Sequence, residues 1–385
     1  MSSAHRLVCL AVIVCLSLLV MPAAASAATS VVLWSRVFGA SDYSPLFDAA
    51  CDNSGNVYVA GVKYTPTSST NHGLAVLRKY TSGGGNLIWA RQFGGNVAQN
   101  SARSVAVDKY GRCYVGGQWS TSASQKAYLR AYTASGGVRW TRLWTATDGV
   151  RAVAVSPSGA NVYAASDVGD EDIIVRRYSS GGTLRRWVRL QTNGRMPTGD
   201  ITVDPSGNVY ACGTAGRGNA EGSCYVKKMS PALSTLWTRT WHLWNGQGFT
   251  RVVADATGAW LTGWVESAPD TTTPIGGVFV KYTAAGGLSS AMSASETVDG
   301  RSGLAKDASS LYVVDGCGAV PPDTTTTARH WKTYKYDRTW SPQDSWTAGP
   351  TNKTSYPEGC ATDRFGNLIV VGTQDGRSAV MKYKK

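Results

Sequence analysis

The stretch Val105-Ala106-Val107-Asp108-Lys109-Tyr110-Gly111-Arg112-Cys113-Tyr114-Val115-Gly116-Gly117 contains one copy of the pattern that decides the fold of this chain. The pattern reads apolar-x-apolar-Asp-x-x-Gly-x-apolar-Tyr-apolar-x-Gly, and it occurs seven times at spacings of 56, 48, 48, 51, 52 and 56 residues. Its anchor positions are Asp52, Asp108, Ser156, Asp204, Asp255, Asp307 and Asp363. A repeat of about 50 residues with short apolar runs indicates a propeller or a solenoid.

Each unit predicts four short strands, called A to D. In the second unit, strand A covers Val105 to Val107, and Asp108 and Gly111 form a tight turn into strand B. The turn is expected because an Asp carboxylate accepts hydrogen bonds from nearby backbone N–H groups and Gly adopts the left-handed conformation. Strand C ends at a tyrosine in most units, and a Gly-Gly turn leads to strand D.

Strand D carries its own motif, Trp-x-Arg. The motif stands at Trp89/Arg91, Trp140/Arg142, Trp187/Arg189 and Trp237/Arg239. Because residues two apart on a strand share a face, we expect the indole to fill the gap between neighbouring sheets. The guanidinium is expected to reach a carboxylate or to stack on an aromatic edge.

The two ends of the chain complement each other. The seventh unit stops at Tyr383-Lys384-Lys385, after strand C, whereas the segment Val31–Phe38 near the N-terminus contains Trp34-x-Arg36 with no strand A, B or C before it. This segment would supply the missing strand and remove an open sheet edge. We therefore predict an all-β, seven-bladed β-propeller with four antiparallel strands per blade, in which the N-terminal strand closes the last blade.

Residues 1–27 have the pattern of a signal peptide, and residues 28–385 are predicted to form the propeller. An apolar run from Leu7 to Met21 is followed by Ala25-Ser26-Ala27, which fits the small-x-small cleavage rule. The alternative is an uncleaved anchor, but the run is about 15 residues long, shorter than the ~20 residues of a spanning helix. We expect a secreted protein without a membrane span after cleavage, at the cell surface, in the periplasm or outside the cell.

The chain is basic, with a formal net charge of +13. This balance allows an anionic partner such as a wall polymer, a nucleic acid or an acidic glycan. It is equally compatible with solubility and with arginines placed by the repeat.

Six cysteines follow the predicted cleavage site, an even number that permits disulfides in an exported chain. Cys212 and Cys224 flank one short loop, and Cys51 and Cys360 lie on the innermost strands of the first and last units. These are the two candidate pairs. The cysteines show no C-x-x-C spacing typical of zinc.

The segments Asp52–Gly61 and Asp204–Gly213 read Asp-x-x-Gly-Asn-x-Tyr-x-x-Gly, and a Lys-Tyr strand and a Trp strand follow. In these features the chain resembles the bacterial SBBP-type β-propeller repeat family, and more loosely the NHL and quinoprotein-like propellers. The resemblance covers essentially all of residues 28–385. It implies the propeller fold and carries over no catalytic residues.

A search for catalytic chemistry yields no candidate residues. The sequence contains no His-Glu-x-x-His, Gly-x-Ser-x-Gly or phosphate-binding loop. The segment Asp52–Asn56 lacks the further acidic ligands of a calcium loop, and the acidic cluster Asp170–Asp172 is typical of a solvated loop. We predict no catalytic residue, no metal site and no cofactor.

The candidate binding site is the face with the longer loops, where loops between blades deliver an arginine just before strand A. The residues expected to surround that mouth of the central channel are Arg103, Arg151, Arg251, Arg301, Trp119 and Trp264. A basic, aromatic rim suits an acidic glycan, a wall polymer or a peptide carboxylate. The alternative is that each arginine pairs with a local carboxylate or carbonyl.

We therefore predict a monomeric binding or scaffolding module for an acidic polysaccharide, wall polymer or protein partner, without specific nucleic-acid binding. The alternative is an extracellular propeller enzyme, either a quinoprotein-like oxidoreductase or a carbohydrate-active enzyme. A binding module should present a positive loop face and no buried carboxylates with strongly shifted pKa values. An enzyme should bring two or three acidic or His side chains together in the channel.

Overall fold

A computed structural model of the protein describes residues 31–39, 44–67, 70–94, 100–121, 124–146, 148–168, 172–191, 198–216, 223–241, 247–265, 276–297, 303–317, 330–348 and 355–384. These residues form 28 strands in seven four-stranded antiparallel sheets. The predicted signal peptide lies outside the described residues. The described residues include no helix with the length and apolar character needed to cross a bilayer.

Six blades follow one another along the chain, each from an inner strand A to an outer strand D. Blade 1 comprises β2 (Leu46–Cys51), β3 (Val57–Thr67), β4 (Thr70–Tyr80) and β5 (Leu87–Phe93). Blade 2 comprises β6 (Ser101–Val107), β7 (Cys113–Ser120), β8 (Gln125–Tyr132) and β9 (Val138–Thr145). Blade 3 comprises β10 (Val150–Val155), β11 (Asn161–Val168), β12 (Asp172–Ser179) and β13 (Leu184–Gln191). Blade 4 comprises β14 (Thr198–Val203), β15 (Val209–Ala215), β16 (Ser223–Met229) and β17 (Thr235–Trp241). Blade 5 comprises β18 (Gln247–Asp255), β19 (Gly258–Val265), β20 (Gly276–Thr283) and β21 (Leu288–Thr297). Blade 6 comprises β22 (Gly303–Lys306), β23 (Ser310–Cys317), β24 (His330–Asp337) and β25 (Pro342–Ala348).

Blade 7 is built from both ends of the chain. Its strands A to C are β26 (Ser355–Thr362), β27 (Leu368–Gln374) and β28 (Arg377–Tyr383), and its strand D is β1 (Val32–Phe38). β1 pairs antiparallel with β28, and the Lys384 N–H donates to the Val31 carbonyl at 2.9 Å. Trp34 is 6% exposed and packs in the core between blades 7 and 1. The predicted seven-bladed ring and its N-terminal closing strand are confirmed.

The anchor turns form as their sequence predicts. Asp52 Oδ1 accepts the backbone N–H groups of Ser54 and Asn56, both at 2.9 Å, and Gly55 has a φ of +77°. The Asp52 carboxylate thus accepts hydrogen bonds from backbone N–H groups of the tight turn.

The repeated Trp-x-Arg motif joins blades 7, 1, 2 and 4 to the blade that follows each of them. In blade 2, the Trp140 indole N–H donates to the Ser180 carbonyl at 3.0 Å and Arg142 Nε donates to the Gly182 carbonyl at 2.7 Å. Gly182 has a φ of +86°, and a side chain there would meet the Trp140 ring at 2.7 Å. The indole fills the gap between sheets as predicted. Of the two predicted partners of the arginine, the carboxylate is replaced by a turn carbonyl, whereas the aromatic contact is present, with the Arg142 guanidinium carbon 5.7 Å from the Trp140 ring centroid. The same contacts recur at Trp34/Arg36, Trp89/Arg91 and Trp237/Arg239.

Blade 3 does not follow this pattern: the prediction for Trp187 is wrong, whereas Arg189 reaches a carboxylate as predicted. Trp140 pairs across the sheet with Ala131, the residue before the strand C tyrosine, whereas Trp187 pairs with Arg176, two residues before Tyr178. A slip of one residue turns a side chain to the other face of a strand. Trp187 is consequently 55% exposed, and Arg189 forms an ion pair with Asp172.

The alternation of strand directions gives the ring two distinct faces. The A–B and C–D turns lie on one, here called the turn face. The B–C loops and the connections between blades lie on the other, here called the loop face. The hydrophobic core lies between neighbouring blades, as in the cluster that joins blades 3 and 4 around Tyr163, Ile201 and Met229.

Candidate functional site

Arg103 and Arg151 lie near the start of strand A in blades 2 and 3 and share one carboxylate. Arg103 Nη1 is 2.9 Å from Asp148 Oδ1, and Arg151 is bonded to the same Asp148 side chain. Arg151 Nε is also 3.2 Å from Asp167 Oδ2. The two guanidinium groups therefore meet two carboxylates, and this part of the mouth is close to charge-neutral.

Arg251 takes a different course. Arg103 and Arg151 are the bulged residues of their strands, whereas Thr250 is the bulged residue in blade 5, so Arg251 lies one position further along strand A. Its Nη2 donates to the Glu358 carbonyl at 2.6 Å, which joins blade 5 to blade 7 across the inner strands. The equivalent position in the intervening blade is Gly303, which has no side chain to obstruct this path. Arg301 lies outside the described residues.

Each of the two predicted rim tryptophans is the penultimate residue of strand B in its blade. Trp119 stacks on Phe93 of blade 1 with ring centroids 6.3 Å apart, and the Arg130 guanidinium carbon lies 5.3 Å from its ring. Trp119 therefore seals the junction of blades 1 and 2. Trp264 ends strand B of blade 5 opposite Gly248, where an added side chain would meet its Nε1 at 3.3 Å.

Two carboxylates that the sequence analysis missed line the channel near Arg251. Asp48 Oδ2 accepts the Ser104 hydroxyl and the Val105 N–H of the next blade, both at 2.9 Å. Asp200 Oδ2 accepts the Val252 N–H of its next blade at 3.2 Å. Both occupy the position four residues before the anchor Asp, a signal that the repeat alignment could have given.

Burial raises the pKa of both carboxyl groups. Burial raises the pKa of Asp200 to about 6, with the Arg251 charge opposing the rise and the Asp48 charge adding to it. Burial also raises the pKa of Asp48. By the criterion stated in the sequence analysis, two such carboxylates are a feature expected of the enzyme alternative and not of a binding module. Each carboxylate also accepts a hydrogen bond from a backbone N–H group of the adjacent blade, and this bond holds the two blades together.

The two predicted disulfides are not formed. Cys212 pairs across the sheet with Val226 and Cys224 pairs with Thr214, so the two cysteines are diagonal neighbours and both are free. Diagonal positions exceed the usual separation of bridged Cβ atoms. Cys51 packs in the junction of blades 7 and 1 and Cys360 in that of blades 6 and 7, so one blade separates these thiols, which are also free.

The turn face presents a feature that the sequence analysis did not single out. Tyr110 in the A–B turn of blade 2 is 61% exposed and Phe365 in the equivalent turn of blade 7 is 53% exposed. Lys109 Nζ lies 5.1 Å from the Tyr110 ring centroid, and the Arg364 guanidinium carbon lies 4.5 Å from that of Phe365. Each ring is thus adjacent to an exposed cation.

The turn of blade 1 lies between these two ring–cation pairs. Asn53 Nδ2 donates to the Lys109 carbonyl at 3.4 Å, and a side chain at Gly55 would meet the Phe365 ring at 3.3 Å. The three turns are therefore contiguous. We call the exposed residues Arg364, Phe365, Asn53, Ser54, Lys109 and Tyr110 the turn-face strip.

The acidic residues near the strip are neutralised locally. Asp108 Oδ2 is 2.5 Å from Arg112 Nε, Asp52 is 3.2 Å from Lys79 Nζ, and Asp363 is 2.8 Å from Lys382 Nζ. All three carboxylates are buried. The exposed charge of the strip is consequently positive.

A shallow cleft of about 350 Å³ continues the strip toward blade 3. Tyr110, Arg112, Ser158 and Ser180 line it. Arg139 adjoins it, because its Nη1 donates to the Ser180 carbonyl at 3.0 Å. Hydroxyl groups, a phenol and cations thus surround this cleft.

No metal centre is found among the residues that the structure describes, since none of their His, Cys, Asp and Glu side chains form a group of three that could hold an ion. Of the acidic cluster noted in the sequence, Asp172 pairs with Arg189 and the other two residues lie outside the described part. The described geometry therefore defines a propeller with a basic, aromatic strip on its turn face.

No protein-family model and no curated protein sequence matches the chain. Solved propellers do resemble it. The Pan2 WD40 domain of Neurospora crassa has a TM-score of 0.60 and 10% identity, covering 92% of this chain and 95% of that one. The RRP9 WD40 repeats have a TM-score of 0.60 and 8% identity, covering 94% of this chain and 99% of that one. Hydrazine synthase of Kuenenia stuttgartiensis has a TM-score of 0.59 and 11% identity, covering 86% of this chain and 94% of that one. At these identities the likeness shows the fold alone.

Proposed function

We propose that this protein is an exported β-propeller of the SBBP-repeat type that binds an anionic partner through the turn-face strip. The observation that carries the proposal is the two exposed ring–cation pairs on the turns of blades 7 and 2, which are joined by the uncharged turn of blade 1. Propellers commonly serve as binding scaffolds, and the net charge of +13 favours acidic partners.

The strip is a better candidate than the loop-face mouth because of charge. Arg103 and Arg151 are each paired with carboxylates, and Arg251 shares the channel with Asp48 and Asp200. Lys109 and Arg364 instead project from turns whose own Asp residues are buried in ion pairs. An approaching anion therefore meets uncompensated positive charge at the strip.

The test is retention on an immobilised acidic polymer during a salt gradient. We expect the double variant Lys109→Ala with Arg364→Ala to elute at clearly lower salt than the unmodified protein, because contacts to a polyanion depend on the number of cations. Ala is a conservative choice, since Ala256 and Ala308 occupy the same turn position in blades 5 and 6.

The matched control is Lys126→Ala with Arg377→Ala. These two cations are exposed at the loop-face ends of β8 and β28, so the control removes the same charge from the opposite face. The control should elute with the unmodified protein. An equal decrease in the eluting salt concentration for the two double variants would refute the proposal, and so would a lack of retention of the unmodified protein.

A further inference from the structure

The two exposed rings of the strip are not required by the turns that carry them. The position two residues after the anchor holds a small hydroxyl side chain in the other five blades, namely Ser54, Ser158, Ser206, Thr257 and Ser309. These turns form equally well, as the Asp204–Gly207 turn shows with its 2.8 Å backbone hydrogen bond. Tyr110 and Phe365 therefore expose apolar surface without a structural benefit to the turn.

Rings and cations also occur together. The residue directly after the anchor is Lys109 or Arg364 in the two turns with a ring, and it is uncharged in the other five. Chain geometry places both side chains of each pair on the turn face, 4.5 to 5.1 Å apart. The pairing of a flat apolar ring with a cation repeats as a unit.

We infer that the turn-face strip binds an acidic polysaccharide in which charged and neutral sugars alternate; this inference rests on the proposed function. The rings offer flat surfaces for the apolar faces of sugar rings, and the adjacent cations suit their carboxylate or sulfate groups. Blade 1 contributes the exposed amide of Asn53 and the exposed hydroxyl of Ser54 between the two ring–cation pairs. These uncharged groups match the hydroxyl groups of a neutral sugar.

Other polyanions fit this pattern less well. Polyphosphate has no apolar face that would use the rings. A single-stranded nucleic acid would use the rings, but it carries a charge at every nucleotide and favours a continuous basic groove. In the strip the cations are separated by the uncharged turn of blade 1. An extended ligand with spaced charges and many hydroxyl groups satisfies all three turns.

The experiment measures the affinity of the full chain for hyaluronan oligosaccharides, polyphosphate and single-stranded DNA at one ionic strength. The test variant is Tyr110→Ser with Phe365→Ser, which introduces the side chain found at this position in four other turns. Trp187→Ser is the control, because Trp187 is exposed on an outer strand away from the strip.

We expect the double variant to bind hyaluronan at least tenfold more weakly while its affinity for polyphosphate changes less than twofold. The control should match the unmodified protein for all three probes. Unchanged hyaluronan binding in the double variant, or absence of hyaluronan binding by a protein that binds polyphosphate, overturns the inference and leaves the proposed function standing. A larger loss for DNA than for hyaluronan would identify a nucleic-acid site instead. Failure to bind any of the three probes would refute both.

Discussion

At the scale of single residues, the contacts of an arginine on strand A depend on a one-residue difference in its distance from the anchor. Arg103 and Arg151 precede the anchor by five residues and pair with Asp148, whereas Arg251 precedes it by four and crosses to Glu358. The sequence shows an arginine near the start of strand A in each case. The offset from the anchor can be read from the sequence, because the same bulge occurs in all three strands, whereas the contact of Arg251 with Glu358 depends on the closed ring.

Asp200 gives a prediction at this scale. Its pKa of about 6 lies above the ordinary value of 3.8, so the native state binds a proton more tightly than the unfolded chain between these pH values. Its contribution to stability therefore falls as pH rises through this window, by on the order of 1–2 kcal/mol after allowance for water in the channel. We expect Asp200→Asn to remove this dependence while an amide oxygen still accepts the Val252 N–H. The free energy of unfolding should be measured in urea at pH 4.5 and pH 7.5, and the variant should gain stability relative to the unmodified protein at the higher pH. The same difference in free energy between the two proteins at both pH values would contradict the prediction.

At the scale of elements, strand D joins the blades only where its tryptophan is in register. Trp140 is 9% exposed and contacts Gly182 of the next blade, whereas Trp187 is 55% exposed. After Trp187 the next blade presents Leu233 instead of a turn glycine, and this leucine is buried in the core of blades 3 and 4. Two identical sequence motifs thus have different structural roles.

The pair Trp140→Ala and Trp187→Ala measures this difference. Loss of the buried indole and its hydrogen bond to Ser180 should lower the free energy of unfolding by about 3–5 kcal/mol. Loss of the exposed indole should cost less than about 1 kcal/mol. Chemical unfolding of both variants provides the comparison, and similar costs would show that the register of β13 is wrong.

At the scale of the whole molecule, one short strand closes the ring. β1 covers the outer edge of β28, and the Trp34 indole donates to Ser82 of blade 1 at 3.0 Å. Without β1, blade 7 would expose the unpaired edge of β28. Exposed strand edges pair with other chains and so promote aggregation. Deletion of residues 28–38 should therefore lower the melting temperature and promote aggregation.

A circular permutant tests whether closure rather than chain order matters. Val31 and Lys384 are hydrogen-bonded neighbours, so a short linker can join the two ends and new termini can be opened between blades 3 and 4. This permutant should melt near the unmodified protein. Unchanged melting of the deletion variant would disprove the role of β1.

The sequence alone determined the seven blades, their four strands, the anchor turns and the closing strand, because these features follow from local patterns that recur along the chain. The tertiary structure alone decided the separation of Cys51 from Cys360, the contact of Arg251 with Glu358 and the contiguity of the turn-face strip. Each of these depends on contacts between residues far apart in sequence, such as Arg251 and Glu358 at a separation of 107 residues. Local periodicity predicts which strands form, but only the closed ring brings their side chains together.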